Sequence, residues 1–549
     1  MLLKQIFSKD NIKFLVILAW MMNSVCILYL FDGTLELSVS LQAFAASLLL
    51  TLGLYIILIL SGERKKHILI PLSVLVIVPS LIVISAYFIT GSILQRAEFR
   101  VVYSTDSAEA TEFVSQFLNF KVISGTAAYL LPLLLFWKVR PAAPVAGRRK
   151  KITAALVVLI AIASLCGNNW NLISKRYHVI DFYRSFYDFK KEQKFDQWTD
   201  KRQNLKFSDP VISDLRINKP KTFVMIIGES LSRSHMQLYG YPRETNPELM
   251  AMKDQLYVFN DVISPSTTTM ETMKLVLTLA NHQHPEYYLE KRSIVNIFSD
   301  AGYETVWVGN QNFRGNRYNI GHGIIAGECS TAYELAETVE TGGGTDQVVL
   351  EAMEHLLRDN KKDRIIFIHL RGSHTKYSTR YPDEFEYFNH GSIPLPYGEN
   401  LPDDDKTIID EYDNSVRYND YIVSSIIKLV KARCEYSWVL YFSDHGEELF
   451  EYRDLFGHQE KNCSKYMCEI PFILWVSDRY REAGRDMFRR MPEYLERSYS
   501  TEDVIHSISE LSGLRYADLD TKRSLFSKNF AAEERIVNKV PYKDVPPAK

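Results

Sequence analysis

Two apolar stretches of this chain end in side chains that bind divalent metals. Residues 223–229, FVMIIGE, run into Glu229, and residues 439–446, VLYFSDHG, run into Asp444 and His445. Two carboxylates and one imidazole suit a divalent cation, and zinc matches this ligand chemistry best. An Asp-His-Gly following a strand is also an ordinary turn, with the aspartate accepting backbone hydrogens, so the set gains meaning from what accompanies it.

Residues 261–280, DVISPSTTTMETMKLVLTLA, pass from a strand through a hydroxyl-rich turn into a helical pattern. Ser266, Thr267, Thr268 and Thr269 are good helix caps. A hydroxyl at that point would also face an incoming phosphate, because the free N–H groups of a helix start attract anions. A threonine attacks phosphorus at neutral pH once a base or a metal removes its proton. His374, in HLRGSHTKY, and His458, in DLFGHQE, sit in loops that could contribute an imidazole to the same crevice. Residues 307–316, WVGNQNFRGN, supply Asn310, Gln311, Asn312 and Arg314, types that hold phosphate or amine groups, although a hydrogen-bonded turn uses them equally well. His282, His284, His355 and His390 read as surface residues and His369, inside a strand, as a core one.

These groups need a scaffold that gathers them. Strand-like runs at 223–228, 304–308, 364–370, 438–442 and 471–476 alternate with helical patterns at 270–281, 293–301, 345–358 and 415–433. Alternation of this kind predicts an α/β domain, a largely parallel sheet covered by helices on both faces. Such sheets bind ligands beyond the carboxyl ends of their strands, where Glu229, Asp444 and His445 would emerge.

The chain has 549 residues, and its apolar content is concentrated at the beginning. About five stretches, at 12–31, 41–61, 67–90, 120–138 and 151–168, approach the ~20 residues needed to span a bilayer. Lys4, Lys9, Lys13, Arg64, Lys65, Lys66, Lys138, Arg140, Arg148, Arg149, Lys150 and Lys151 fall before the first span or in alternate loops, which marks those loops as cytoplasmic. An odd number of spans then delivers the C-terminal domain to the outer face. The first span lacks a small-residue cleavage site and reads as a retained anchor.

The expected organisation is a transmembrane domain over 1–169, an interfacial aromatic linker over 170–217 and a soluble catalytic domain over 218–549. Trp170, Tyr177, Phe182, Tyr183, Phe186, Tyr187, Phe189 and Trp198 give the linker its amphipathic character. A net charge of −2 offers no electrostatic footprint for nucleic acid. Of six cysteines, Cys329, Cys434, Cys463 and Cys468 lie in the soluble part; Cys463 and Cys468 could close a small loop or remain buried thiols.

Taken in order, IIGESLSRSHMQLYGYPRETNP, SPSTTT, FIHLRGSHTKYSTRYP, YDNSVRYNDYIVSSII and FSDHGEEL resemble the membrane-anchored phosphoethanolamine transferases that decorate lipopolysaccharide, members of the alkaline phosphatase and sulfatase superfamily. The likeness runs along nearly the whole chain. It implies a sulfatase-like, alkaline-phosphatase-like C-terminal domain in the periplasm, carried by a multi-pass bacterial inner-membrane protein. It implies Zn2+ held by Glu229, Asp444, His445 and the nucleophile Thr269, with Thr268 the competing position, and His374 and His458 beside the phosphate. STDSAEATEF at 104–113 is similar to a lipid-side segment of the family, which makes Thr105, Asp106 and Glu109 headgroup neighbours.

The resemblance further implies a phosphatidylethanolamine donor, a lipopolysaccharide acceptor and a phosphothreonine intermediate, in a protein expected to be a monomer in contact with membrane lipid. Pro265 stands where lipid A-modifying relatives carry a cysteine, which favours an inner-core heptose acceptor over a lipid A phosphate. A phosphoglycerol transferase of the lipoteichoic acid synthase type and a non-catalytic membrane scaffold are the alternative readings. Sulfatase chemistry itself is disfavoured, because SPSTTTMETMK lacks the arginine of the C/S-x-P-x-R setting.

Overall fold

The computed structural model describes residues 9–31, 37–61, 65–90, 118, 120–134, 178–192, 195–311, 322–335 and 344–546. The chain divides into two compact units with the boundary at residues 193–194.

The first unit is helical. Lys9–Phe31, Leu37–Ser61, Lys65–Thr90 and Phe120–Leu134 correspond to the first four expected spans. Among the described residues, two helical stretches are both long and apolar enough to cross a membrane, Lys9–Leu28 and His67–Ile89. The described part of the fourth expected span is the 15-residue helix Phe120–Leu134, and its remainder, 135–138, lies outside the described residues. The fifth expected span, at 151–168, lies outside the described residues. Two hydrogen bonds tie polar groups inside the unit: Asn23 Nδ2 donates to Thr51 Oγ1 at 2.8 Å, and Trp20 Nε1 donates to the Tyr129 carbonyl at 3.0 Å.

The expected linker is divided between the two units. Helix His178–Glu192 is tied to the first, with His178 Nε2 2.9 Å from Ser80 Oγ and the Tyr183 hydroxyl donating to the Leu75 carbonyl at 3.1 Å. Helix Phe195–Gln203 belongs to the second, where the buried Arg202 donates to Glu328 Oε1 at 2.6 Å.

The second unit is built on a central sheet whose strands, in chain order, are β1 (Lys221–Gly228), β2 (Leu256–Val258), β3 (Glu304–Gly309), β4 (Thr331–Glu334), β5 (Arg364–His369), β6 (Tyr436–Ser443) and β7 (Phe472–Val476). Their spatial order is β2-β7-β6-β1-β5-β3-β4. The five strands from β6 to β4 run parallel. Strand β7 runs antiparallel to β6, and β2 antiparallel to β7, so the largely parallel sheet is mixed at one edge.

Strand β1 is buried along its whole length, and its β-branched and aromatic residues serve both faces at once. Phe223, Met225 and Ile227 enter one apolar core, with helices Thr269–Val276, Ile294–Asp300 and Val504–Leu511. Val224 and Ile226 enter the other, with helices Gln347–Leu356 and Asp403–Arg433. The long helix begins twelve residues before the expected 415, because Ile409 and Tyr412 already face the core through an acidic stretch whose Asp403, Asp404 and Asp405 favour a helix start.

A candidate metal centre at the sheet edge

The register of the sheet brings the ligands together. Gly228 pairs with Ser443, so Glu229 and Asp444 leave adjacent parallel strands at the same level. Ile227 pairs with His369, and Gly309 with His369 on the other side, which brings the ends of β5 and β3 to that edge. One oxygen or nitrogen from each of Glu229, Asp444 and His445 lies within 4.8 Å of the others, and all three residues are 1% exposed or less.

The local backbone fixes how these groups point. Ser230 takes a left-handed φ of 58°, from which its N–H donates to Asp444 Oδ1 at 3.1 Å and its hydroxyl to Glu229 Oε1 at 3.0 Å. A strained serine at a ligand cluster is the kind of conformation that the surrounding structure must hold in place. His445 Nδ1 sits 3.0 Å from the Gly446 carbonyl and donates to it, which leaves Nε2 to face the carboxylates. That Nε2 is 3.3 Å from Glu229 Oε1 and 3.4 Å from Asp444 Oδ2. Gly372, with φ of 52°, comes so close to Glu229 that an added Cβ would stand 2.7 Å from the Glu229 carbonyl.

The electrostatics of this cluster call for positive charge. Burial disfavours the His445 imidazolium, yet Asp444 and then Glu229 push its pKa up to about 10. Burial, followed by the neighbouring charge of Glu229, pushes Asp444 up to about 6. Burial also acts against the Glu229 carboxylate, but the neighbouring His369 and His445 imidazoles hold it well below the usual carboxylate range. Among the described residues, Asp444 Oδ2 is buried with no hydrogen-bond partner. A buried, unpartnered carboxylate oxygen beside a second carboxylate and an imidazole fits a divalent cation.

Thr269 stands first in the helix Thr269–Val276, preceded by Thr268 at the cap position. Its Oγ1 donates to Glu229 Oε1 at 3.1 Å and lies 3.4 Å from His445 Nε2. Thr268 Oγ1 instead lies 3.4 Å from Ser266 Oγ, and Thr267 Oγ1 donates to the Gln459 carbonyl at 2.9 Å. Of the three threonines, Thr269 is the one whose hydroxyl contacts the ligand cluster.

A second cluster adjoins the first. His445, Glu447 and His458 each offer a ligand atom within 4.8 Å of the others. His458 Nδ1 is 2.9 Å from Glu447 Oε1, and the His445 and His458 rings have centroids 4.1 Å apart. His374 follows β5; burial, with the charges of Arg380, His458 and Arg371, lowers its pKa against the pull of Glu229, so its imidazole is neutral.

The structure redistributes the amides expected to meet substrate. Asn310 is buried and turned inward, donating to Asp346 Oδ1 at 2.9 Å and the Gly344 carbonyl at 3.1 Å. Gln311 Nε2 donates to Glu229 Oε2 at 2.9 Å and the Leu370 carbonyl at 2.8 Å, which steadies the carboxylate from behind. His369 does more than fill the core: buried at the end of β5, its Nε2 lies 3.7 Å from Glu229 Oε2. Asn312, Arg314, Thr105, Asp106 and Glu109 lie outside the described residues.

Three of the histidines read as surface groups are paired with carboxylates, His390 with Asp410 at 2.6 Å, His282 with Glu502 at 2.9 Å and His284 with Glu286 at 3.0 Å. Sequence reasoning missed Asp346, which accepts from the Arg371 and Gly372 N–H groups at 2.9 Å each and thereby shapes the loop against Glu229. An aspartate opening a helical pattern after glycines reads as a cap, and no sequence signal ties it to that loop. Cys463 and Cys468 are buried free thiols.

The sulfatase family profile matches residues 221–514. Over 504 residues the chain is 30% identical to the phosphoethanolamine transferase EptC of Escherichia coli K12, covering 88% of this chain and 86% of that protein. It is 29% identical over 486 residues to the phosphoethanolamine transferase CptA of Salmonella typhimurium, covering 84% of this chain and 83% of that one. Among solved structures, the C-terminal periplasmic domain of Escherichia coli EptC in complex with Zn superposes with a TM-score of 0.57 at 33% identity, covering 61% of this chain and 96% of that domain. The integral membrane protein lipooligosaccharide phosphoethanolamine transferase A from Neisseria meningitidis shares the fold, with a TM-score of 0.64 at 20% identity over 95% of this chain and 96% of its own.

Proposed function

Because the chain belongs to the phosphoethanolamine transferase family, within the sulfatase superfamily, we propose that it moves phosphoethanolamine from phosphatidylethanolamine to lipopolysaccharide through a covalent intermediate on Thr269. The observation that carries this reading is the Thr269 hydroxyl, 3.1 Å from Glu229 Oε1 and 3.4 Å from His445 Nε2 in a cluster whose chemistry suits zinc.

In the first step the Thr269 hydroxyl loses its proton and its oxygen bonds to the headgroup phosphorus, the bond from phosphorus to the diacylglycerol oxygen breaks, and that oxygen takes up a proton. In the second an acceptor hydroxyl on lipopolysaccharide loses its proton and bonds to the same phosphorus, the bond from phosphorus to Thr269 Oγ1 breaks, and Thr269 takes up a proton. Glu229 orients the hydroxyl through their hydrogen bond, while His374 and His458 are the imidazoles assigned to the phosphoryl oxygens and the leaving group. Zinc held by Glu229, Asp444, His445 and Thr269 would supply positive charge that lowers the hydroxyl pKa and offsets charge on phosphorus-bound oxygens.

The membrane arrangement belongs to the same reading. The N-terminal unit, about five spans in all, anchors the protein in the bacterial inner membrane with the soluble unit in the periplasm. Both substrates are lipids, so confinement to one surface shortens the search between them. An inner-core heptose is the favoured acceptor on the strength of Pro265.

The test is peptide mapping of the full-length protein by mass spectrometry after incubation with phosphatidylethanolamine. A phosphoethanolamine adduct on Thr269 is the expected result. An adduct on Thr268 would move the nucleophile, and the absence of any adduct in an active preparation would remove the covalent mechanism.

A further inference from the structure

The turn that presents Thr269 is held by a residue far along the chain from it. A short hairpin pairs Ile536–Val537 with Val540–Pro541, and its two tip residues, Asn538 and Lys539, both take left-handed conformations, φ 50° and 69°. Asparagine tolerates that region better than most residues. Val537 anchors the hairpin in a small apolar cluster with Ile263, Cys463, Met467, Cys468 and Val545, close to the hydroxyl-rich turn that Ile263 leads into.

From this tip the Asn538 side chain makes four hydrogen bonds. Its Oδ1 accepts from Ser266 Oγ at 2.8 Å and from the Thr267 N–H at 3.1 Å. Its Nδ2 donates to Thr267 Oγ1 at 2.8 Å and to the Glu460 carbonyl at 2.9 Å. The Asn538 N–H adds a fifth, to the Pro265 carbonyl at 3.1 Å. Thr267 Oγ1 in turn donates to the Gln459 carbonyl at 2.9 Å. One carboxamide therefore clamps the turn before Thr269 to the loop after His458.

We infer that Asn538 is a positioning residue for group transfer, setting the Thr269 hydroxyl and the His458 loop at a fixed separation while touching neither substrate nor metal cluster. The geometry favours this over a merely structural role. The carboxamide spends all its hydrogen-bonding groups on two functional loops, whereas the hairpin is anchored separately by Val537. Displacement of a nucleophile by about 1 Å costs on the order of 100-fold in rate.

The inference rests on the Thr269 reading, and its test separates the two. In the full-length protein, Asn538→Gly keeps the left-handed backbone and removes the clamp, Asn538→Asp keeps the two bonds that Oδ1 accepts and loses the two that Nδ2 donates, and Asn538→Ala removes all four. Expected are a kcat reduced about 10- to 100-fold in the glycine variant with KM within about twofold, a smaller loss in the aspartate variant, and unchanged zinc content. Hydrogen exchange of peptides spanning 264–270 and 456–461 should accelerate together, while the rest of the soluble unit keeps its protection.

A wild-type kcat in both the glycine and aspartate variants, or unchanged exchange in the two segments, would overturn the positioning role. Should wild-type protein form no adduct on Thr269, the covalent reading falls, and the exchange data alone decide whether Asn538 orders the turn. If Asn538→Ala does not fold, the glycine variant carries the comparison.

Discussion

Thr269 Oγ1 donates a hydrogen bond to Glu229 Oε1 at 3.1 Å, although 40 residues and a change of element separate them. Glu229 directly follows a central strand, and Thr269 begins a helix on one face of the same sheet. A hydroxyl that donates to a carboxylate of the candidate cation site is not serving as a helix cap, and Thr268 has the cap position in any case.

Removing that hydroxyl should abolish transfer while leaving the fold intact. Thr269→Ala is expected to lower kcat by about 10⁴-fold or more, as for other nucleophile deletions, and to eliminate the adduct. Thr268→Ala should cost far less, since its hydroxyl meets Ser266 and not the cluster. Steady-state transfer assays with both variants check this.

Glu229 and Gln311 should separate by magnitude. Glu229→Gln deletes a ligand charge and is expected to prevent stable zinc binding. Gln311→Ala removes the donor that holds Glu229 Oε2 at 2.9 Å, and should weaken zinc affinity by roughly 10- to 100-fold, the usual cost of losing a group behind a metal ligand. Competition against a zinc chelator, followed by inductively coupled plasma analysis, measures both.

Gly372→Ala should be costly for its size. A Cβ there would lie 2.7 Å from the Glu229 carbonyl and 2.9 Å from its N–H nitrogen, at a φ of 52° that L side chains rarely take. A loss of about 1–3 kcal/mol is expected, together with weaker metal binding as Glu229 is displaced. Thermal unfolding with and without zinc reports the two effects.

Stability should also depend on pH through a buried histidine outside the candidate ligand set. His235 is enclosed by Asp413 at 2.7 Å and Glu451 at 2.9 Å; burial disfavours its charge, but these carboxylates push the pKa up to about 9. The folded protein therefore keeps a proton that the unfolded chain releases near pH ~6.5. The stabilisation from this group is complete below about pH 6.5 and is lost as pH rises through about 9, on the order of 3 kcal/mol in total. Denaturant unfolding of the protein across that window should show the decline, and His235→Gln should flatten it.

The parallel core and the meeting of Glu229 with Asp444 were legible because they rest on local patterns. FVMIIG and VLYFS are continuous β-formers buried on both faces, and a parallel sheet gathers the residues just beyond such strands, here Glu229 and Asp444, at one edge. The antiparallel partners β2 and β7 were not separable this way, since strand direction depends on pairing and leaves no mark on composition.

Side-chain direction was the harder part. Asn310 and Gln311 are adjacent amides after β3, yet one turns to Asp346 and the other to Glu229, a choice made by loops far away in sequence. His369 reads as core because it sits inside a strand, and it is buried; only the register with Ile227 and Gly309 reveals that it also borders the ligands. Asn538 gives no signal at all, because its meaning lies in a contact 272 residues distant.

The central claim is that Glu229, Asp444, His445 and Thr269 share one cation. Anomalous diffraction at the zinc edge, from crystals of the full-length protein grown with zinc, tests it most directly. The account predicts a peak about 2 Å from an oxygen of Glu229, an oxygen of Asp444 and His445 Nε2, with Thr269 Oγ1 adjoining it. Zinc-dependent transfer in crystals whose only peaks lie elsewhere would contradict it.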